Sequence, residues 1–166
     1  MPVWLIVLLA VLAVVVLIVG LLGVLAYVGV RKFIGLAKTA EATTNVNQMA
    51  TDVDRAFATD GTLCESASLP VPASMSAVTG KKYMSTPSDW ELDKVKHGGF
   101  ACLEFSMMSP QYYQYDYKKT GPAGFTVFAR GDLDGNGVTS EFSQSGRVTG
   151  GLLVIDTTIT QKNPTE

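Results

Sequence analysis

The chain has 166 residues, 47% of them hydrophobic and 17% charged, with a formal net charge of −2. Its basic pairs, Arg31-Lys32, Lys81-Lys82 and Lys118-Lys119, are scattered, so no basic groove tracks a phosphate backbone and a nucleic-acid partner is set aside. About 136 residues follow position 30, enough for one domain with its own core.

Pro2 to Val30 carries no charged residue. A bilayer core needs roughly 20 apolar residues in a helix, and its backbone groups find no water there, which leaves a helix as the form that crosses. Residues 1–30 are therefore predicted as a transmembrane helix. No Lys or Arg comes before Arg31, and the run exceeds the short apolar centre of a secretory signal, so a retained anchor is expected.

The helix is predicted to continue through residues 31–60. Phe33, Leu36, Ala37, Ala40, Val46, Met49, Ala50, Val53 and Phe57 recur mostly at steps of three and four, the apolar stripe of an amphipathic helix. Gly35 is tolerable at about 1 kcal/mol relative to Ala, and Asp60-Gly61 is a natural stop. A helix over residues 3–58 would run roughly 80 Å.

Residues 61–166 are expected to form a sheet domain with loops. Thr62 to Ser88 reads as loop, punctuated by Pro70, Pro72, Gly80 and Pro87, and Trp90 just beyond it is a local anchor. Five short strands are predicted, over residues 100–107, 111–117, 125–130, 139–143 and 152–160, with Ser145-Gly146 ending the fourth and a frayed tail after the last. A long helix followed by an antiparallel sheet is α+β.

Two cysteines, Cys64 and Cys102, lie beyond the apolar run. Two cysteines allow one pairing, and in an oxidising compartment they form a disulfide; in a cytosolic domain they would be two buried thiols. Arg31, Lys32 and Lys38 just after the span place the C-terminal domain in the cytoplasm by the positive-inside rule, against the oxidised pair.

Asp132-Leu133-Asp134-Gly135-Asn136-Gly137 places oxygen donors at alternate positions before a glycine, as a calcium loop begins. Ser140 falls at the ninth position, but the twelfth is Ser143 rather than a carboxylate. Ca2+ is thus a candidate cofactor held by Asp132, Asp134, Asn136 and Ser140, and a Gly/Asn turn between strands is the simpler reading. Tyr113, Tyr115 and Tyr117 share one strand face at period two; they are candidates for an interaction surface or for packing on the helix. Glu41 is either solvated or one half of an inter-subunit ion pair. His97, the sole histidine, precedes Gly98-Gly99 and reads as a solvated loop residue. No nucleophile elbow, phosphate loop or paired-histidine metal motif is present, so no enzymatic activity and no small-molecule substrate are expected.

Two stretches resemble the bacterial type IV pilin and pseudopilin family. VRKFIGLAKTAEATTN, Val30 to Asn45, is similar to the pilin stretch of basic pair, aromatic, small residue, Lys and Ala-Glu-Ala beyond the apolar half. FTVFARGDLDGNGVTSEFSQSG, from Phe125, resembles the strand-turn-strand segment of pilin-like proteins. The resemblance implies a long helix packed on a small antiparallel sheet, and the cysteine pair fits it. It further implies a subunit or accessory of a type IV pilus or type II secretion pseudopilus, partnered by membrane lipid and by like helices. Its place would be the bacterial inner membrane, with the C-terminal domain in the periplasm, or extracellular once assembled. No basic leader precedes the run and no Glu lies within it, so a divergent member is expected. The reading of a different class is a stand-alone periplasmic binding or sensor module on a single-pass anchor.

Overall fold

The computed structural model describes residues 2–164. The chain divides into two compact units, Met1–Leu36 and Ala37–Glu166. One helix, α1 (Val3–Asp60), contributes to both.

In the first unit, Val3–Tyr27 forms a stretch of 25 residues long and apolar enough to cross a membrane, with none of its apolar window buried. Val3 and Trp4, and the side chains from Val7 through Leu17 to Leu25, are exposed. Such a surface is soluble only in lipid or against other apolar surfaces.

The second unit is α+β. Here α1 buries Ala42, Val46, Met49, Ala50 and Val53, a stripe at steps of three and four. The predicted stripe is corrected at its start: Ala37 and Ala40 are exposed and Ala42 takes the inward position, while the side chains of Phe33 and Leu36 lie outside those described. Two short helices follow, α2 (Pro87–Trp90) and α3 (Gly99–Leu103). Then come β1 (Gln114–Lys119), β2 (Gly124–Gly131), β3 (Ser140–Thr149), β4 (Leu152–Ile155) and β5 (Thr160–Lys162).

The strands make one antiparallel sheet in the order β1-β2-β3-β4, with β5 pairing β3 beside β4. Burial alternates along β2 and β3, the period-two signature of a sheet with one covered face. Phe125, Val127 and Ala129 of β2 and Phe142 of β3 join the helix stripe in a single core. The loop after α1 closes the sheet's first edge: the Val71 and Tyr115 backbones exchange N–H···O bonds of 2.9 and 2.8 Å, and the Ala67 amide donates to the Tyr117 carbonyl at 3.0 Å. An edge so paired offers no template to another chain.

Four predicted strands differ from those observed, the second of them starting at Gln114 rather than 111, so that Tyr113 precedes it, and running on to Lys119. Residues 100–107 hold α3 rather than a strand, with Gly98 in extended conformation before it and Glu104 turned left-handed after it. Ser145-Gly146 does not end the fourth strand, which runs on to Thr149 because β4 pairs its far half, Gly146 opposite Ile155. The predicted last strand is two, both on β3, and the tail's Gln161 and Lys162 are part of β5. Trp90 is the expected anchor, buried with its ring edge-on to Phe100 at 4.9 Å and Phe105 at 5.4 Å.

Candidate functional site

The apolar surface of Val3–Tyr27 is the largest chemical feature of the first unit. It has no charge and no catalytic group; it can embed, or pack against its own kind. In the second unit, four features are built from side chains that the sequence singles out.

The first is a clasp. Cys64, in the loop just past α1, and Cys102, in α3, are joined in a disulfide with their Cα atoms 6.0 Å apart. It closes a loop of 38 residues, which on the chain-entropy model stabilises by about 3 to 4 kcal/mol. The two segments also meet through backbone, the Gly99 amide donating to the Glu65 carbonyl at 2.8 Å. Glycine is required there. Its φ is +55°, and a Cβ would stand 2.7 Å from Asp93 Oδ2 and 3.0 Å from the Ala67 Cα. Asp93 itself is buried; its carboxylate accepts from both the amide and the hydroxyl of Ser68. Burial opposes its charge, but the Ser68 bonds, with Lys96 and Lys118, hold it below the usual carboxylate value.

His97 is exposed, as expected of a loop residue, and stands beside the clasp. It ends a short 3-10 turn, Lys94–Lys96, in left-handed conformation, and that turn brings its Nδ1 to 3.2 Å from Cys102 Sγ. The same nitrogen is 4.0 Å from Asp60 Oδ2. Sequence reasoning missed this contact. Its one signal is the five-residue spacing to Cys102, which says nothing of direction.

The second feature lies between helix and sheet. Glu41 Oε1 accepts from the Tyr112 amide at 2.9 Å and the Tyr115 hydroxyl at 3.1 Å. Asn45 Nδ2 in turn donates to that hydroxyl at 2.8 Å. Burial raises the Glu41 carboxyl above its ordinary 4.5, against the pull of those bonds and of Lys82. Glu41 is therefore an internal fastener, and this corrects both sequence readings of it. Lys38 and Lys82 each place Nζ within 5 Å of the Tyr112 ring centre, at 4.6 and 4.8 Å.

The third is the tyrosine set. Tyr113, Tyr115 and Tyr117 are all fully buried, so they are core and not an interaction surface. Tyr113 stands edge-on to Phe142 at 5.8 Å, and the Tyr117 hydroxyl donates to the Cys64 carbonyl at 2.9 Å. Burial pushes the Tyr115 and Tyr117 hydroxyls well above their ordinary range. Aromatic rings of this size dominate core energetics when their hydroxyls find partners.

The fourth is the turn between β2 and β3. Asp132 is buried, and its two oxygens accept from the Gly135 amide at 2.8 Å and the Gly137 amide at 3.1 Å. Asp134 accepts from the Asn136 amide, and Asn136 Oδ1 from the Val138 amide. Ser140 Oγ donates to the Gly131 carbonyl at 3.0 Å. These donors and acceptors satisfy the turn's own backbone, the job Asx residues do in tight turns.

Comparison with family models, with curated proteins and with solved structures finds no match to this chain.

Proposed function

We propose that this is a membrane-anchored, pilin-like structural or interaction protein, and that its role is assembly rather than catalysis. The observation that carries the reading is a single helix, α1, which opens with 25 residues long and apolar enough to cross a membrane, none of that apolar window buried, and which further on buries one face, Ala42 to Val53, in the core of the sheet domain. The exposed stretch holds the chain in a bacterial inner membrane and packs on like helices when subunits leave the bilayer. The disulfide supports an oxidising location for the second unit, outside that membrane.

The test is fractionation. Shear of intact cells should release the chain in high-mass assemblies that pellet without membrane, and cysteine labelling of unbroken spheroplasts should need prior reduction from outside. A chain that stays in the membrane fraction as a monomer or small oligomer is a stand-alone module on an anchor instead.

A further inference from the structure

We propose that Asp60, Cys64, His97 and Cys102 form a zinc site when the Cys64–Cys102 disulfide is reduced. The four residues come from three places: the end of α1, the loop after it, and the turn-helix segment from Lys94 to Leu103. Their donor atoms converge. Nδ1 of His97 faces both Cys102 Sγ, at 3.2 Å, and Asp60 Oδ2, at 4.0 Å, and the ligand atoms of these three residues all lie within 4.8 Å of one another. Tetrahedral zinc with sulfur at about 2.3 Å and nitrogen or oxygen at about 2.0–2.2 Å sets neighbouring donors roughly 3.4–3.8 Å apart. The observed spacings bracket that range. Cys64 supplies the fourth donor once its bond to Cys102 is broken.

The surroundings suit a metal. Both cysteines are nearly buried, 4% and 9% exposed, while the His97 and Asp60 side chains are 73% and 39% exposed and free to close on an ion. Clefts of about 190 and 390 Å3 open on the cluster, each lined by Asp60, His97 and Cys102. Arg55 borders one of them, but its guanidinium is turned to Asp52 and to the Leu103 carbonyl. Two thiolates, a neutral imidazole and a carboxylate are a donor set that selects zinc over calcium or magnesium.

The chemistry balances as follows. A dithiol gives two electrons and two protons to the disulfide, becoming a disulfide itself and leaving two cysteine thiols. Zinc then binds both sulfurs as thiolates and their two protons pass to solvent. The same four side chains thus have a use on either side of a membrane: a covalent clasp where conditions oxidise, a metal clasp where they reduce. The inference does not depend on the pilin-like reading.

The test uses the full chain in detergent. It is reduced with a phosphine, which takes its oxygen from water, then desalted anaerobically, exposed to Zn2+ and desalted again. The reduced protein should keep about one zinc per chain, and the oxidised protein none. Co2+ in place of Zn2+ should give thiolate charge-transfer and tetrahedral d–d bands. His97→Ala should weaken zinc binding by more than about tenfold, since even outer-shell partners of a ligand are worth 10–100-fold. Circular dichroism tells whether the reduced apo chain is folded; refolding on addition of zinc counts in favour. A reduced chain that retains no zinc, folded or unfolded, overturns the proposal. So does a His97→Ala variant that binds zinc as tightly as the wild type.

Discussion

Two strand glycines show how single positions shape the sheet. Gly146 of β3 is the Cα partner of Phe125 on β2, and a Cβ added at 146 would collide with the Phe125 ring and stand 3.0 Å from the Val154 carbonyl oxygen. Gly131 does the same for Tyr113, whose ring would stand 2.8 Å from an added Cβ. An aromatic laid over a glycine restores the packing that the glycine lacks. Gly146→Ala should therefore destabilise by about 1–3 kcal/mol through overpacking. Phe125→Leu in the same chain should lose less than the sum of the two single changes, a coupling that denaturant midpoints of the four proteins would reveal. Glu41 gives the residue-scale prediction on pH. Its folded-state value is raised above 4.5 by burial, so the folded protein holds this proton more tightly than the unfolded chain. That contribution is fully present below 4.5 and is lost as pH rises through the raised value. Measured against Glu41→Gln, the wild type should gain stability as pH falls from neutral toward 4.5. Groups such as Asp52 and Asp93 are common to both proteins and cancel; a pH-independent difference would refute the burial argument.

Among the elements, the contact of α1 with the sheet decides whether the second unit holds. Met49 is fully buried in that contact, two turns before Phe57 and one after Asn45. Met49→Ala should cost about 2–5 kcal/mol, read as a lower denaturant midpoint at unchanged slope. The exposed neighbour Asn47→Ala should stay within about 0.5 kcal/mol. The stripe containing Met49 was legible because helical period survives in the sequence, and β2 was legible because it alternates cleanly. Other elements were hidden for physical reasons. Phe100, Leu103 and Phe105 are apolar at spacings that serve a helix turn as well as a strand, and the choice was made by Gly98-Gly99 admitting the chain at φ +55°. Gly146 reads as a stop until Phe125 is seen to cover it. At the clasp, the cysteine pairing was legible because two cysteines have one partner each. The approach of His97 was not, since it depends on a left-handed residue at the end of a single 3-10 turn.

At the scale of the whole molecule, the chain joins a helix long and apolar enough to cross a membrane to a closed α+β domain. Val3–Tyr27 presents an apolar surface, and the second unit has closed its core, its disulfide and its first sheet edge within itself. Among the described residues, every buried position of α1, Ala42 through Val53, belongs to the second unit, and so do the Glu41 fastener and both cysteines. A fragment beginning at Ala37 would start on residues none of which is buried, Ala37 to Ala40, so water can satisfy its first unpaired helical N–H groups. It keeps about 130 residues, a size at which a single domain buries enough surface to fold alone. Its helix needs no help from upstream, because a packed amphipathic face, more than propensity, stabilises helices in proteins. The fragment 37–166 should therefore be soluble without detergent, form the Cys64–Cys102 bond, and unfold cooperatively at the same denaturant midpoint as the full chain in micelles. Near-ultraviolet circular dichroism, dominated by Trp90 and the buried tyrosines, should be unchanged apart from the loss of Trp4 and Tyr27. A fragment that aggregates or melts early would mean that the residues before Ala37 contribute to the stability of the sheet domain.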